Sequence, residues 1–135
     1  SLKNIYKELE ESGAAKDATK RTSGDLVHWA EQGVLMLNAS LTVYHGKSNT
    51  HSKIWKEFTD HLICWISENS EQDLVFVLWG KFAQSKKKLI AEGHLILEAT
   101  HPSPLGANKG GFFGCDHFNK INKFLKKQKV ERIKW

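Results

Sequence analysis

His101 opens the run His-Pro-Ser-Pro-Leu, and the chain's only two prolines, Pro102 and Pro104, flank Ser103 inside it. A histidine at this position can act as acid or base, or stabilise negative charge on a leaving group. Ser103 has its hydroxyl and amide held on a stiff turn, a suitable contact for a phosphate. Leu105 closes the turn, and four of the ten glycines follow between 106 and 114, with Lys109 among them. Asn38, at the end of an earlier apolar run, can give and accept hydrogen bonds to a planar polar ring. Each residue also has a plainer reading. Histidines at strand ends are often structural, asparagine is a common turn residue, and Pro-Ser-Pro can be just a rigid turn.

The elements that must position these residues are legible in the hydrophobic pattern. Three short apolar runs, 33–39 (GVLMLNA), 74–80 (LVFVLWG) and 94–100 (HLILEAT), read as buried parallel strands. Amphipathic spacing predicts helices over 1–11, 52–69 and 115–128, a short basic helix over 82–93 closed by Gly93, and a helical turn near 25–32. Ser52 is the expected N-cap of the long central helix. Strand–helix–strand alternation predicts an α/β parallel sheet with helices on both faces. Sites in such sheets lie beyond the carboxyl ends of the strands. Asn38, then Gly80 and Lys81, then His101 with its Pro-Ser-Pro loop should therefore converge on one edge.

Bulk properties narrow the classes. The chain has 135 residues, room for one domain, and a formal net charge of +5. Residues 81–135 hold twelve Lys or Arg against four Asp or Glu, while residues 1–80 hold eight against eleven. That asymmetry fits a polyanion partner, nucleic acid first, or else a solvated lysine-rich helix face. No apolar run approaches the roughly 20 residues of a membrane span. The opening SLKNIYKELEE is too polar and acidic for a secretory signal. Cys64 and Cys115, far apart and outside any CxxC, are expected to be reduced thiols in an intracellular protein. The seven histidines form neither HExxH nor HxxxH, so no metal site is expected. His45 and His51 are expected at the surface or facing a nucleic acid, and His117 at the surface of its helix or in a packing contact. GANKGG lacks the P-loop pattern and does not directly follow a strand.

Taken together, SLKNIYKEL, WAEQGVLMLNASLTV, WKEFTD, LVFVLWGKFAQSKK, HPSPL and GGFFGCDHFNKIN resemble family 1 uracil-DNA glycosylases, in the family's order and across essentially the whole chain. The resemblance implies the parallel-sheet fold of that family and an enzyme that flips uracil out of single- or double-stranded DNA and hydrolyses its N-glycosidic bond. It implies that Asn38 reads the Watson–Crick edge of uracil and that His101 donates to uracil O2. It implies that Leu105 fills the hole left in the stack, and that Ser103 and Lys109 grip phosphates. Pro102 and Pro104 would stiffen the pinching loop. It implies no cofactor and a monomer.

The resemblance also has gaps. Lys81 stands where the family commonly has serine, Gly106 replaces the serine after HPSPL, and KGGFFG carries one extra glycine. Lysine can meet a phosphate as a point charge but not through a short hydroxyl contact. The water-activating motif GQDPYH and the aromatic residue that stacks on uracil do not occur in the chain. Residues 1–135 are therefore expected to be the C-terminal portion of a single glycosylase domain, lacking its N-terminal part and a central strand. The neighbouring strands would face a gap and the chain alone would be inactive. An inactive DNA-binding relative, such as a polymerase accessory module, is the competing expectation. Nucleus, mitochondrion and bacterial cytoplasm are equally compatible with these residues.

Overall fold

Helix α1 (Leu2–Glu11) forms where Ile5, Tyr6 and Leu9 fall on one stripe, and these three are buried. They join Trp29, Phe112, Phe118, Ile121 and Trp135 in the core. These positions belong to a computed structural model that describes residues 1–135. Burying each large apolar side chain contributes roughly 1.5–3 kcal/mol. The chain continues through the short α2 (Val27–Ala30) to α3 (Ser52–Asn69), which His51 caps in place of the expected Ser52. Strand β1 (Val75–Trp79), α4 (Lys81–Gln84), β2 (Leu95–Ala99), α5 (Pro104–Ala107) and α6 (His117–Lys127) follow.

Strands β1 and β2 pair in parallel, Val75 opposite Leu95 and Trp79 opposite Ala99. The Gly80 N–H donates to the Ala99 carbonyl at 2.8 Å, carrying the register one residue past β1. Both strands thus end at the same level, where Lys81 and His101 begin.

Two expectations are corrected. Residues 33–39 do not form a strand: they enter no ladder, and Leu35 and Met36 are exposed. A strand is stable only when its N–H and C=O groups meet a neighbour, and β1 pairs with β2 alone. The run is held instead by α3, where the fully buried Thr59 donates its hydroxyl to the Ala39 carbonyl at 2.9 Å. The predicted helix over 82–93 breaks into α4 and a 3₁₀ turn at Lys87–Leu89. At the break the Ser85 hydroxyl bonds back to the Phe82 carbonyl. Lys86 turns inward there to meet Asp60 of α3 at 2.6 Å.

The two chain ends are clasped together. Arg21 Nη1 and Trp29 Nε1 both donate to the Trp135 carbonyl, at 2.6 and 2.9 Å. His117 is buried rather than at the helix surface, and its Nδ1 accepts the Trp79 Nε1–H at 3.0 Å.

The titration of two groups is coupled to this packing. Burial holds His117 below the usual histidine value, reinforced by Lys120 and only partly opposed by the Glu98 carbonyl and Asp116. Burial would raise Asp60, but hydrogen bonds and charge from Lys86 and Lys56 outweigh it and hold the carboxyl below its ordinary range. His117 is neutral in the fold, so its contribution is full above the unfolded value of about 6.5 and declines as pH falls below it. The Asp60 contribution is present above about 3.9 and is lost as pH falls through its lowered folded value. Urea-unfolding midpoints followed against pH should fall in these two separate windows. His117→Gln should flatten the first window and leave the second in place.

Candidate active site

His101 is exposed just beyond β2, and its surroundings define one tautomer. Its Nδ1 accepts the backbone N–H of Ser103 at 2.9 Å, which places the ring proton on Nε2 in the neutral form. Two other histidines use the same Nδ1 device. His94 Nδ1 accepts from the Leu74 N–H at 2.8 Å, and His117 Nδ1 from Trp79. His94 also spends its Nε2 internally, on the Ser67 carbonyl at 2.7 Å, and His117 is fully buried. His101 alone of the three is exposed, and its Nε2 has no hydrogen-bond partner in the chain. That difference separates a histidine available for chemistry from two structural bridges.

Two glycines close on the His101 backbone. Gly80 has φ +91°, and a Cβ there would lie 3.3 Å from the His101 Cβ. A Cβ at Gly106 would run into the His101 carbonyl oxygen. Gly80 and Gly106 thus allow the end of β1 and helix α5 to seat against the histidine. Gly106, read from the sequence as a lost hydroxyl contact, therefore also has a packing reason. The glycine loop serves similarly: the Thr100 hydroxyl donates to the Gly110 carbonyl at 3.1 Å, and a Cβ at Gly111 would approach the Thr100 methyl to 2.8 Å.

The Pro-Ser-Pro turn caps α5. Ser103 is its N-cap and Pro104 its first residue, where proline's missing N–H costs nothing. The Ser103 carbonyl accepts from Gly106 and Ala107 at 3.0 and 2.8 Å, while its hydroxyl makes no bond within the chain. The ring of Pro102 is fully buried, which anchors the turn. Leu105 points outward at 81% exposure, so it contributes nothing to the core. Lys81 and Lys109 are exposed and without ion-pair partners.

Lys81, His101, Ser103 and Leu105 therefore share one open edge. Asn38 lies at the end of the unpaired 33–39 run, exposed and without a hydrogen bond. No hydrogen bond joins it to His101. Two concavities run along α1 and residues 19–24, lined by Lys3, Tyr6, Thr19 and Arg21, and include none of the predicted site residues.

Sequence reasoning missed the residues that hold this edge in place. Asn4 of α1 donates its Nδ2–H to the Pro102 carbonyl at 2.7 Å, across 98 positions of sequence. Glu8, one turn later and buried, accepts the backbone N–H groups of Gly114 and Asp116 at 2.8 and 3.0 Å. The available signal was their four-residue spacing beside the apolar stripe of α1, a polar pair on a helix flank that need not face water.

The structure is an α/β fold with an exposed histidine and a rigid proline turn at one sheet edge, and comparison with known proteins gives its family. The chain belongs to the uracil DNA glycosylase superfamily, whose family model matches residues 1–126. It is 48% identical over its full length to the uracil-DNA glycosylase of Acinetobacter baumannii, covering 56% of that protein. To the uracil-DNA glycosylase of Francisella tularensis subsp. novicida it is 50% identical, covering 60% of it. The crystal structure of mimivirus uracil-DNA glycosylase superposes with a TM-score of 0.92 at 31% identity, over 99% of this chain and 54% of that one. The chain thus spans a little over half the length of these relatives.

Gly106→Ser tests the tight seating of α5 against His101. Its side chain must displace the His101 carbonyl or the helix, and overpacking of this kind costs roughly 1–3 kcal/mol. The expected result is a lower urea midpoint, without any gain in DNA affinity from the restored hydroxyl.

Proposed function

We propose that this chain supplies the base-reading and leaving-group side of a uracil-DNA glycosylase, acting on uracil-containing single- and double-stranded DNA. The observation that carries the reading is the Ser103 N–H donated to Nδ1 of the exposed His101, which leaves the ring proton of the neutral form on Nε2. As the glycosidic bond breaks, negative charge develops on the departing uracil, and a neutral imidazole donor aimed at O2 stabilises it without transferring a full proton. Asn38 would read the uracil edge once the 33–39 run is drawn against the sheet. Leu105, already exposed, would enter the stack as the apolar wedge and offset part of the unstacking cost of a few kcal/mol. Ser103 through its hydroxyl, with Lys81 and Lys109 as point charges, would hold the phosphates on either side.

Water activation lies outside this set, because the sequence contains no GQDPYH motif. Hydrolysis therefore needs a segment beyond these residues, which would also cover the free edge of β1. We assign the working enzyme as a monomer that needs no cofactor or metal. The unpaired Cys64 and Cys115 support a reducing, intracellular setting.

The deciding experiment is cleavage of a uracil-containing oligonucleotide followed by alkali treatment. It is run with residues 1–135 alone and with the polypeptide completed by the N-terminal half of the Acinetobacter relative. Activity only in the completed form supports the proposal. DNA binding without cleavage in either form would make the chain a binding module instead. In the active form His101→Ala should lower the rate about 10²–10³-fold with little change in DNA affinity. Leu105→Ala should cost more on duplex than on single strands. Lys81→Ala and Lys109→Ala should each reduce the salt slope of binding by about one.

A further inference from the structure

We infer that Asn4 is a positioning residue for His101, acting through the single peptide unit between Pro102 and Ser103. The carbonyl of that unit belongs to Pro102 and accepts the Asn4 Nδ2–H at 2.7 Å. Its N–H belongs to Ser103 and donates to His101 Nδ1 at 2.9 Å. In a trans peptide the C=O and N–H point in opposite directions, so the two bonds load the same plane from opposite ends. Rotating that plane breaks both. Each bond also polarises the other, since a donor on the carbonyl oxygen makes the amide N–H a better donor.

No other hydrogen bond from outside the local turn reaches residues 101–105. Their remaining bonds run to Gly106, Ala107 and Asn108. The buried Pro102 ring fixes where the turn sits, but an apolar contact does not set the rotation of a peptide plane. Asn4 does, because its amide approaches from α1 along the carbonyl. Asparagine is a mediocre residue for a helix interior, and in the first turn of α1 its side chain caps no backbone group of its own helix. It is spent on the turn 98 residues away.

The consequence for His101 is a choice of tautomer. With the Ser103 N–H held toward the ring, Nδ1 must be the acceptor and the proton stays on Nε2. With the plane released, the Nδ1–H form becomes accessible, and the outward donor becomes an acceptor. This step concerns the free protein. Only its effect on rate rests on the proposed glycosylase activity.

The test is ¹⁵N NMR of histidine-labelled intact protein carrying this chain, at a pH where His101 is neutral, with the His101 signals assigned by their loss in His101→Gln. The unsubstituted protein should show an unprotonated Nδ1 and a protonated Nε2. Asn4→Leu and the near-isosteric Asn4→Asp, which cannot donate when ionised, should shift the tautomer ratio roughly five- to tenfold toward Nδ1–H, the weight of about one hydrogen bond. Glu8→Gln also weakens the packing of α1 but does not touch this peptide, and should leave the ratio unchanged. An unchanged ratio in folded Asn4 variants overturns the inference, as does an equal change in Glu8→Gln. Should both Asn4 variants fail to fold, exchange of the Asn4 side-chain amide protons in the unsubstituted protein decides. Protection supports the bond, and exchange at the free-amide rate overturns it. In the completed enzyme the Asn4 variants should lower kcat and leave KM for DNA unchanged. A lower kcat with an intact tautomer ratio would reduce Asn4 to a merely structural role, and a shifted ratio with no cleavage in any form would leave the relay standing while removing the glycosylase reading.

Discussion

The carboxylate of Glu8 is the joint on which this structure turns. It is buried on α1 and is met by two backbone N–H groups from the loop before α6. Hydrogen bonds to a charged acceptor are among the stronger ones, and removing one side leaves a buried group without its partner. The same helix carries Asn4 one turn earlier, whose side-chain amide separately reaches the Pro102 carbonyl. A helix far upstream in sequence thus governs two loops at the site edge. The core behind it, with Trp29 edge-on to Trp135 and Phe118 against the same ring, keeps both chain ends in register with that helix.

The sheet tells the opposite story, of an element that its sequence favours and its surroundings withhold. Residues 33–39 have strand composition but no ladder. Leu35, Met36, Leu41 and Val43 stay exposed, as do Ile54, Phe58 and Trp65 on α3. So much apolar surface is unusual for a folded chain left to itself. It spans residues 35–43 and one face of α3, and the free edge of β1 shares the same lack of a partner. Asn38 sits in that unpaired run, exposed and without a hydrogen bond within the chain.

The histidines show how environment assigns role. His94, His101 and His117 each accept an N–H on Nδ1, yet only His101 is exposed. Burial holds His117 neutral as a bridge between β1 and α6. His101 has its Nδ1 engaged on an exposed turn by a local bond to the Ser103 N–H. An exposed ring can meet a substrate; a bridging ring cannot without breaking the fold.

The sequence alone determined the family, the α/β class, the main helices and both true strands, because these rest on local periodicity and contiguous motifs. It missed the break after α4, where the inward pull of Asp60 on Lys86 overrides helix propensity. It assigned a strand at 33–39, since composition records what a segment favours and not whether a neighbour is present to pair with it. It gave no sign of Asn4 or Glu8 as site supports, and it left His117 between helix surface and packing. Only the tertiary structure decided those, because each depends on a hydrogen bond to a backbone group far away along the chain. Such bonds leave no periodic trace in sequence: a backbone carbonyl or amide is the same group whatever residue carries it.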